Sequence, residues 1–207
     1  MLRMILIIAV VLLSVAGFTV SAQEIRLWTE DDRHYLVNNL IRTRDLIIKE
    51  TANLTKEQWN FKESPDRWSI KEVVEHIDLW ELLLQREVSM ALSWGPKPDF
   101  VKTASPDSVT LGFIMEEKPH ISVEYTKPFT FSLPMGLNEG KNNIAWFLKM
   151  RNESIDYITT AKEDLRYYFQ REGRGSVHQV YITTFGHTFR HIRQIKKIKH
   201  HLNYPKG

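Results

Sequence analysis

The sequence predicts an all-α protein: a four-helix bundle with a long connection between its second and third helices. Four segments repeat apolar residues every three or four positions, which is the spacing of one buried helix face. A Ser or Thr in position to act as an N-cap precedes three of these segments. Residues 95–140 separate the second segment from the third and lack this period. A signal peptide is predicted to precede the bundle.

The N-terminus has the three-part layout of a secretory signal peptide. Arg3 supplies a positive charge, residues 5–13 are apolar, and small residues lead to a predicted cut after Ala22. An uncleaved membrane anchor is the alternative, but the run falls short of the roughly 20 apolar residues that span a bilayer. Residues 1–22 are therefore interpreted as the signal peptide and residues 23–207 as one domain, secreted or periplasmic.

The first two predicted helices have clear starts. The first runs from about residue 29 to 53, with a threonine N-cap and Asp32 three positions on. The second begins after Ser69, because Glu72 completes a capping box with it. It ends near Trp94, where a Gly-Pro pair follows that cannot continue a helix.

The other two helices follow the long connection. Alternating apolar and polar residues at 121–125 and 129–133 predict two short extended segments within it. The third helix is predicted over about residues 142–169. Ser176 and Gln179 then form a capping box that starts the fourth helix.

Composition excludes two classes of function. The chain has no cysteine, so a thiolate can be neither a nucleophile nor a metal ligand. Its formal net charge of +3, one unit of which leaves with the predicted signal peptide, is too small for a nucleic-acid-binding domain. A metal ion would be held by His, Asp or Glu alone.

Three of the eight histidines stand out by position. His187 and His191 are four residues apart, so both project from one face of the fourth helix and can reach one metal ion. His76 lies on the apolar face of the second helix and points toward the interior, where facing helices of a bundle bring ligands together. Taken singly, each has a simpler interpretation: a chance helical pair, or a hydrogen-bonded core histidine. The remaining histidines are interpreted as surface or helix-end residues: His34, His120, His178, His200 and His201.

Two motifs that carry these histidines resemble the DinB-like (DNA-damage-inducible) superfamily. The first covers residues 54–77, and the second is Gly-His-Thr-Phe-Arg-His-Ile-Arg-Gln-Ile at 186–195. Phe147 and Arg151 also occupy positions where the third helix of that superfamily often carries Phe and Arg. The resemblance implies a four-helix bundle with one divalent metal ion on three histidines. These map onto His76, His187 and His191.

The resemblance leaves the activity open. Some members of the superfamily are thiol-dependent transferases and others are classed as metal-dependent hydrolases. The predicted export favours a hydrolase of a small substrate, because cytosolic thiols are scarce outside the cell. A non-catalytic metal- or ligand-binding bundle and a thiol-dependent S-transferase are the alternatives. Zinc is the default metal, and nickel or iron fit the same ligands.

Residues around the triad offer no general base. Glu75 is expected to point about 100° away from His76, and Glu72 is already used in the helix cap. Gln194 either orients a ligand or the bound water, or is an ordinary helix-flank amide. Trp80 is expected to wall the pocket or to pack in the core. The expected partner is a small molecule; nucleic acid and a stable membrane span after cleavage are not expected, and a homodimer is left open.

Overall fold

The structure is a computed structural model that describes residues 27–117, 132–170, 173 and 175–206. The predicted signal peptide lies outside the described residues. So do the predicted extended segments in the long connection, apart from residues 132 and 133. The described helices are α1 (Glu30–Thr51), α2 (Lys56–Asn60), α3 (Ile70–Ser93), a 3-10 helix (Pro98–Thr103), α4 (Asp107–Met115), α5 (Gly140–Thr160) and α6 (Val177–Lys199).

Four long helices form the predicted bundle. Helices α3 and α1 each pack against both α5 and α6. The ends of α1 and α6 meet where Lys199 bonds Glu50, so these two helices run in the same direction. Helices α3 and α5 are also parallel to each other, because the long connection returns the chain to the end where α3 began. The predicted fold class is confirmed. Within the described residues, no helix is both long and apolar enough to cross a membrane.

The helix starts follow from local sequence. A capping box begins each of four helices: the cap side chain accepts the N3 backbone N–H, and the N3 side chain accepts the cap N–H. The four cap residues are Thr29, Thr55, Ser69 and Ser176. Three of these were predicted, together with their partners Asp32, Glu72 and Gln179.

The third long helix is shorter than predicted. It ends at Thr160 rather than near Phe169, because Ala161 adopts an extended conformation. The Asp164 carboxylate then accepts backbone N–H groups from Leu27 and Trp28, at 2.5 and 3.0 Å. This contact spans more than 130 residues of chain and holds the segment in a turn. The apolar period beyond residue 160 therefore reflects burial of a turn and not a helix.

The long connection contains a helix that the sequence analysis did not predict. Helix α4 packs on α6 at Gly186, where a Cβ atom would lie 2.5 Å from Ile114 Cγ2. Only glycine allows the two helices to approach this closely. The connection therefore covers part of α6 with α4 on its way from α3 to α5.

A buried ion pair joins all four long helices. The Arg151 side chain of α5 is fully buried and donates two hydrogen bonds to the Glu81 carboxylate of α3. It also donates to the Leu40 carbonyl and Thr43 hydroxyl of α1, at 3.1 and 2.6 Å, and to the Thr188 hydroxyl of α6, at 2.8 Å. All five N–H groups of the guanidinium are thus used.

His178 was predicted to be a surface or helix-end residue; it does lie in the first turn of α6, but it is not at the surface. Its side chain is 1% exposed. Its Nδ1 atom accepts a hydrogen bond from the Trp28 indole at 3.2 Å, and its Nε2 atom lies 3.1 Å from Asp107 Oδ2. Arg166 bridges Asp107 and Asp32 beside it, at 2.8 and 2.7 Å. His178 therefore joins the start of α4 to the segment before α1.

Candidate metal centre

The three predicted histidines converge between α3 and α6. The Nε2 atom of His187 lies 3.2 Å from Nε2 of His76 and 3.1 Å from Nε2 of His191. One ring nitrogen from each residue lies within 4.8 Å of the other two. All three side chains are buried, with 4–8% exposure. The three histidines are therefore positioned to bind one metal ion.

Helix geometry accounts for this convergence. His187 and His191 lie one turn apart on α6, about 40° around its axis from each other. Helix α3 runs antiparallel to α6, so His76 lies opposite His191 and Trp80 lies opposite His187. The corresponding ring centroids are 4.8 and 5.0 Å apart. The register between the two helices thus determines the site.

Hydrogen bonds fix the tautomers of two of the rings. The Nδ1 atom of His76 faces the Ser132 carbonyl, which can only accept a hydrogen bond. The Nδ1 atom of His191 lies 2.8 Å from Oε1 of Gln194. Both Nδ1 atoms therefore carry the proton, and both Nε2 atoms present a lone pair toward His187.

This arrangement fits a cation. His187 Nε2 can carry one proton at most, so only one of its two short N···N contacts can be a hydrogen bond. With the proton on His187 Nε2, the lone pair of the other neighbour faces a nitrogen that has no second hydrogen to donate; without it, both contacts set lone pairs against each other. Metal–nitrogen bonds of 2.0–2.1 Å give N···N distances of about 3.3 Å in a tetrahedral site and about 2.9 Å in an octahedral one. The two distances at His187 lie between these values, and all three ligand nitrogens lie within 4.8 Å of one another.

Burial keeps the three imidazoles in the neutral form that binds metal. It lowers the pKa of His76 to about 4. It also lowers the pKa of His191 and His187 well below the ordinary value, helped by the mutual repulsion of charges within the triad and by the Arg190 charge. Neutral rings do not have to lose a proton before they ligate a cation at neutral pH.

Comparison with known proteins identifies the family. The model of the DinB superfamily matches residues 39–195, which is more than half of the chain and includes all three histidines. The chain belongs to the DinB superfamily. No curated protein and no solved structure matches it significantly. The predicted resemblance is therefore confirmed.

Two tryptophans flank the triad of this DinB-superfamily protein. The Trp80 ring lies 5.0 Å from that of His187, and the same side chain packs against the apolar core. The Trp68 ring lies 4.8 Å from His76 and 6.5 Å from His191. Trp68 was not predicted to be a site residue, although it lies in the first superfamily motif. Together the two indoles limit the access of bulk water to the ligand atoms.

The nearby carboxylates support the site without facing it. Glu72 accepts hydrogen bonds from Ser69 in the helix cap and from Lys62. Glu75 accepts the backbone N–H groups of Met135 and Gly136, at 3.1 and 2.7 Å. These bonds anchor the segment whose Ser132 carbonyl fixes the His76 ring. Neither carboxylate is placed as a general base, as the sequence analysis expected.

Gln194 contacts the ring of His191, as expected of a residue that orients a ligand. Its amide oxygen accepts the Nδ1 proton of His191 and so exposes the Nε2 lone pair. The alternative of an ordinary helix-flank amide does not describe this contact. The DinB-superfamily site thus has an outer layer of two acceptors, the Ser132 carbonyl and the Gln194 amide.

Proposed function

We propose that this DinB-superfamily protein is an exported metal-dependent hydrolase of a small substrate, with one divalent metal ion on His76, His187 and His191. The observation that carries the proposal is the set of tautomers. Two buried Nε2 atoms have their lone pairs directed at a third within 3.2 Å, a pattern that a positive charge between them would stabilise, and this supports the proposal.

The donor set suits hydrolysis. A divalent cation on three neutral imidazoles keeps its full charge and lowers the pKa of a bound water toward roughly 7, which supplies a nucleophile near neutral pH. Three protein ligands leave at least one coordination position for water or substrate. We propose zinc as the metal, and nickel or iron suit the same nitrogen ligands.

The surrounding residues hold the site rather than move protons. Glu72 and Glu75 are engaged with backbone N–H groups, so neither takes a proton from water in this reaction. Trp68 and Trp80 exclude bulk water, which strengthens the electrostatic interactions of a polarised substrate. Gln194 keeps the His191 ring in place.

Export is the part of the proposal that argues against a thiol-dependent transferase, because such enzymes use thiols that are concentrated in the cytosol. Mass spectrometry of the N-terminus of the native protein tests it. We expect the mature chain to begin at Gln23. A native chain that retains Arg3 would contradict cleavage and favour the transferase.

Metal analysis of the native protein tests the site. We expect one divalent ion per chain in the wild type and in His34→Ala, a surface histidine control, and a loss of metal in His187→Ala. The site would be contradicted if the wild type is purified without a stoichiometric divalent ion and also fails to bind one when it is added.

Hydrolysis is tested on a panel of small esters, amides and lactones. We expect turnover that a chelator abolishes, that the metal restores, and that His187→Ala lacks. Stoichiometric metal without chelator-sensitive turnover on any substrate would contradict the hydrolase and support a non-catalytic metal-binding bundle.

A further inference from the structure

Large apolar side chains are exposed on one side of the bundle, where α3 and α5 run next to each other. Five of them are 44–77% exposed. We call this surface the α3–α5 face, and its apolar residues are Leu82, Leu133, Met135, Leu137 and Trp146.

Contacts between the two helices place Leu82 beside Trp146. The Lys71 carbonyl of α3 accepts a hydrogen bond from α5 at 3.4 Å, and the Gln85 side chain of α3 donates one to α5 at 2.7 Å. Leu82 lies between these two α3 residues, and Trp146 lies between their partners on α5. The two exposed side chains therefore flank the same line of contact.

The segment before α5 extends this surface along α3. Glu75 accepts the backbone N–H groups of Met135 and Gly136, and Lys71 donates to the Gly136 carbonyl at 3.1 Å. Glu75 precedes Leu82 by seven residues, a spacing that returns to within about 20° around the helix axis. The apolar residues of the segment thus lie in line with Leu82. A contiguous exposed apolar surface usually marks a binding site for another protein.

A charged residue lies on each side of Leu82 along α3. Asp78 precedes it by four residues and Arg86 follows it by four, so each is about 6 Å away along the axis. Arg86 is exposed, and among the described residues no acceptor contacts its guanidinium. The Oδ1 atom of Asp78 is buried, and no donor in the same part of the chain reaches it. The two side chains are about 12 Å apart along one helix and therefore do not pair within the chain.

We propose that the α3–α5 face is the interface of a homodimer, in which two copies of α3 pack antiparallel about a twofold axis at Leu82. The same surface of both chains is in contact in such an interface, so residues at equal distances before and after the axis meet. Arg86 therefore lies over Asp78 of the second copy, and this pair forms twice. A second copy is the occupant that fits, because each charged group meets its opposite when the face is rotated by 180°.

The surroundings of Asp78 within one chain disfavour its negative charge. Burial, and then the charges of Glu81 and Glu75, raise the pKa of this carboxyl to about 9. A guanidinium placed against it stabilises the ionised form and pairs with it. Arg86 of the second copy supplies that guanidinium in the dimer.

The axis also covers the exposed apolar residues. The row of α3 that contacts α5 runs through Asp78, which is seven residues from each of the two contacts. Trp146 is therefore on the Asp78 side of Leu82, and Trp146 of the second copy lies beside Arg86. An indole face binds a guanidinium in this position. Leu82 packs on Leu82 of the second copy at the axis itself.

Disulfide trapping tests the position of the axis. The chain has no cysteine, so Leu82→Cys introduces a single thiol that can pair only with another copy. We expect the oxidised variant to run as a covalent dimer on a non-reducing gel, because a residue on a twofold axis meets its own copy. Ile48→Cys, at a residue of α1 that is 41% exposed, is the control and is expected to run as a monomer. Equal cross-linking of the two variants, or none in Leu82→Cys, would overturn the proposal.

Sedimentation equilibrium tests the charge pair. We expect the wild type and Ile48→Glu to be dimers and Leu82→Glu to be a monomer. Arg86→Glu is expected to raise the dimer dissociation constant at least tenfold, because it sets a glutamate against Asp78 twice. Adding Asp78→Asn is expected to lower that constant again, since it removes the repulsion. A monomeric wild type, a dimer that Leu82→Glu leaves intact, or a double variant that associates no more tightly than Arg86→Glu would each contradict the proposed interface.

Discussion

Replacing Gln194 by Leu tests whether the outer layer of hydrogen bonds controls metal affinity. The side chain accepts one hydrogen bond, at 2.8 Å, from the Nδ1 atom of His191. Its loss removes about 1 kcal/mol directly and frees the ring to change tautomer and orientation. Loss of such an outer partner weakens metal binding by about 10- to 100-fold. We therefore expect the dissociation constant of each metal tested to rise 10- to 100-fold, which corresponds to a loss of about 1.4–2.7 kcal/mol of binding free energy.

The assay is competition with a chromophoric chelator at fixed pH, with Gln85→Leu as the control. Gln85 makes a hydrogen bond of similar length, 2.7 Å, to the Met150 carbonyl, but it lies nine residues from His76 on α3. The control is expected to lower stability and to leave metal affinity within twofold of the wild type. The reasoning is refuted if Gln194→Leu binds metal as the wild type does, or if both variants lose affinity equally.

Two further predictions concern the bundle. Arg151→Met is expected to lower the free energy of unfolding by about 3–5 kcal/mol, because it leaves Glu81 buried without its partner. The double variant Arg151→Met/Glu81→Leu should recover most of that loss in urea unfolding, and a double variant no more stable than the single one would contradict this account. The second concerns acid: burial alone would raise the pKa of Asp107, but hydrogen bonds from His178 and Arg166 outweigh it and hold that pKa below its ordinary 3.8. The contribution of the ionised Asp107 to stability is complete above about pH 4 and is lost as the pH falls through the folded-state pKa. Asp107→Asn should therefore lower the free energy of unfolding by a constant amount above pH 4 and by a smaller amount below it. A cost that is unchanged down to pH 2 would exclude this linkage.

Features that depend on neighbouring residues in sequence could be predicted. The capping boxes at Thr29, Ser69 and Ser176 each need only a cap residue and its N3 partner. The helix starts that they predict are therefore correct. The pairing of His187 with His191 follows from the helix repeat alone. Adding His76 required only that two apolar faces meet in a bundle.

Features that depend on distant partners could not be predicted. The apolar residues beyond Thr160 continue a helical period, yet a turn lies there, and its Asp164 carboxylate accepts hydrogen bonds from the backbone N–H groups of Leu27 and Trp28. His178 lies on α6 without any local sign of burial, and its environment comes from Trp28 and from the start of α4. In both cases the residues that determine the local structure lie many tens of positions away along the chain.

The metal centre combines the two kinds of feature, and this explains why its ligands were easier to predict than its geometry. The ligands follow helix periodicity, but the distances between them depend on the register of α3 against α6. Arg151 fixes that register, because it bonds at once to Glu81 on α3 and to Thr188, the neighbour of His187, on α6. The long connection between α3 and α5 then contributes the Ser132 carbonyl, which fixes the orientation of the His76 ring. A site on two rigid helices, with its ring orientations set by a separate segment, holds its donors in place before the cation binds, so little of the binding free energy is spent on ordering them.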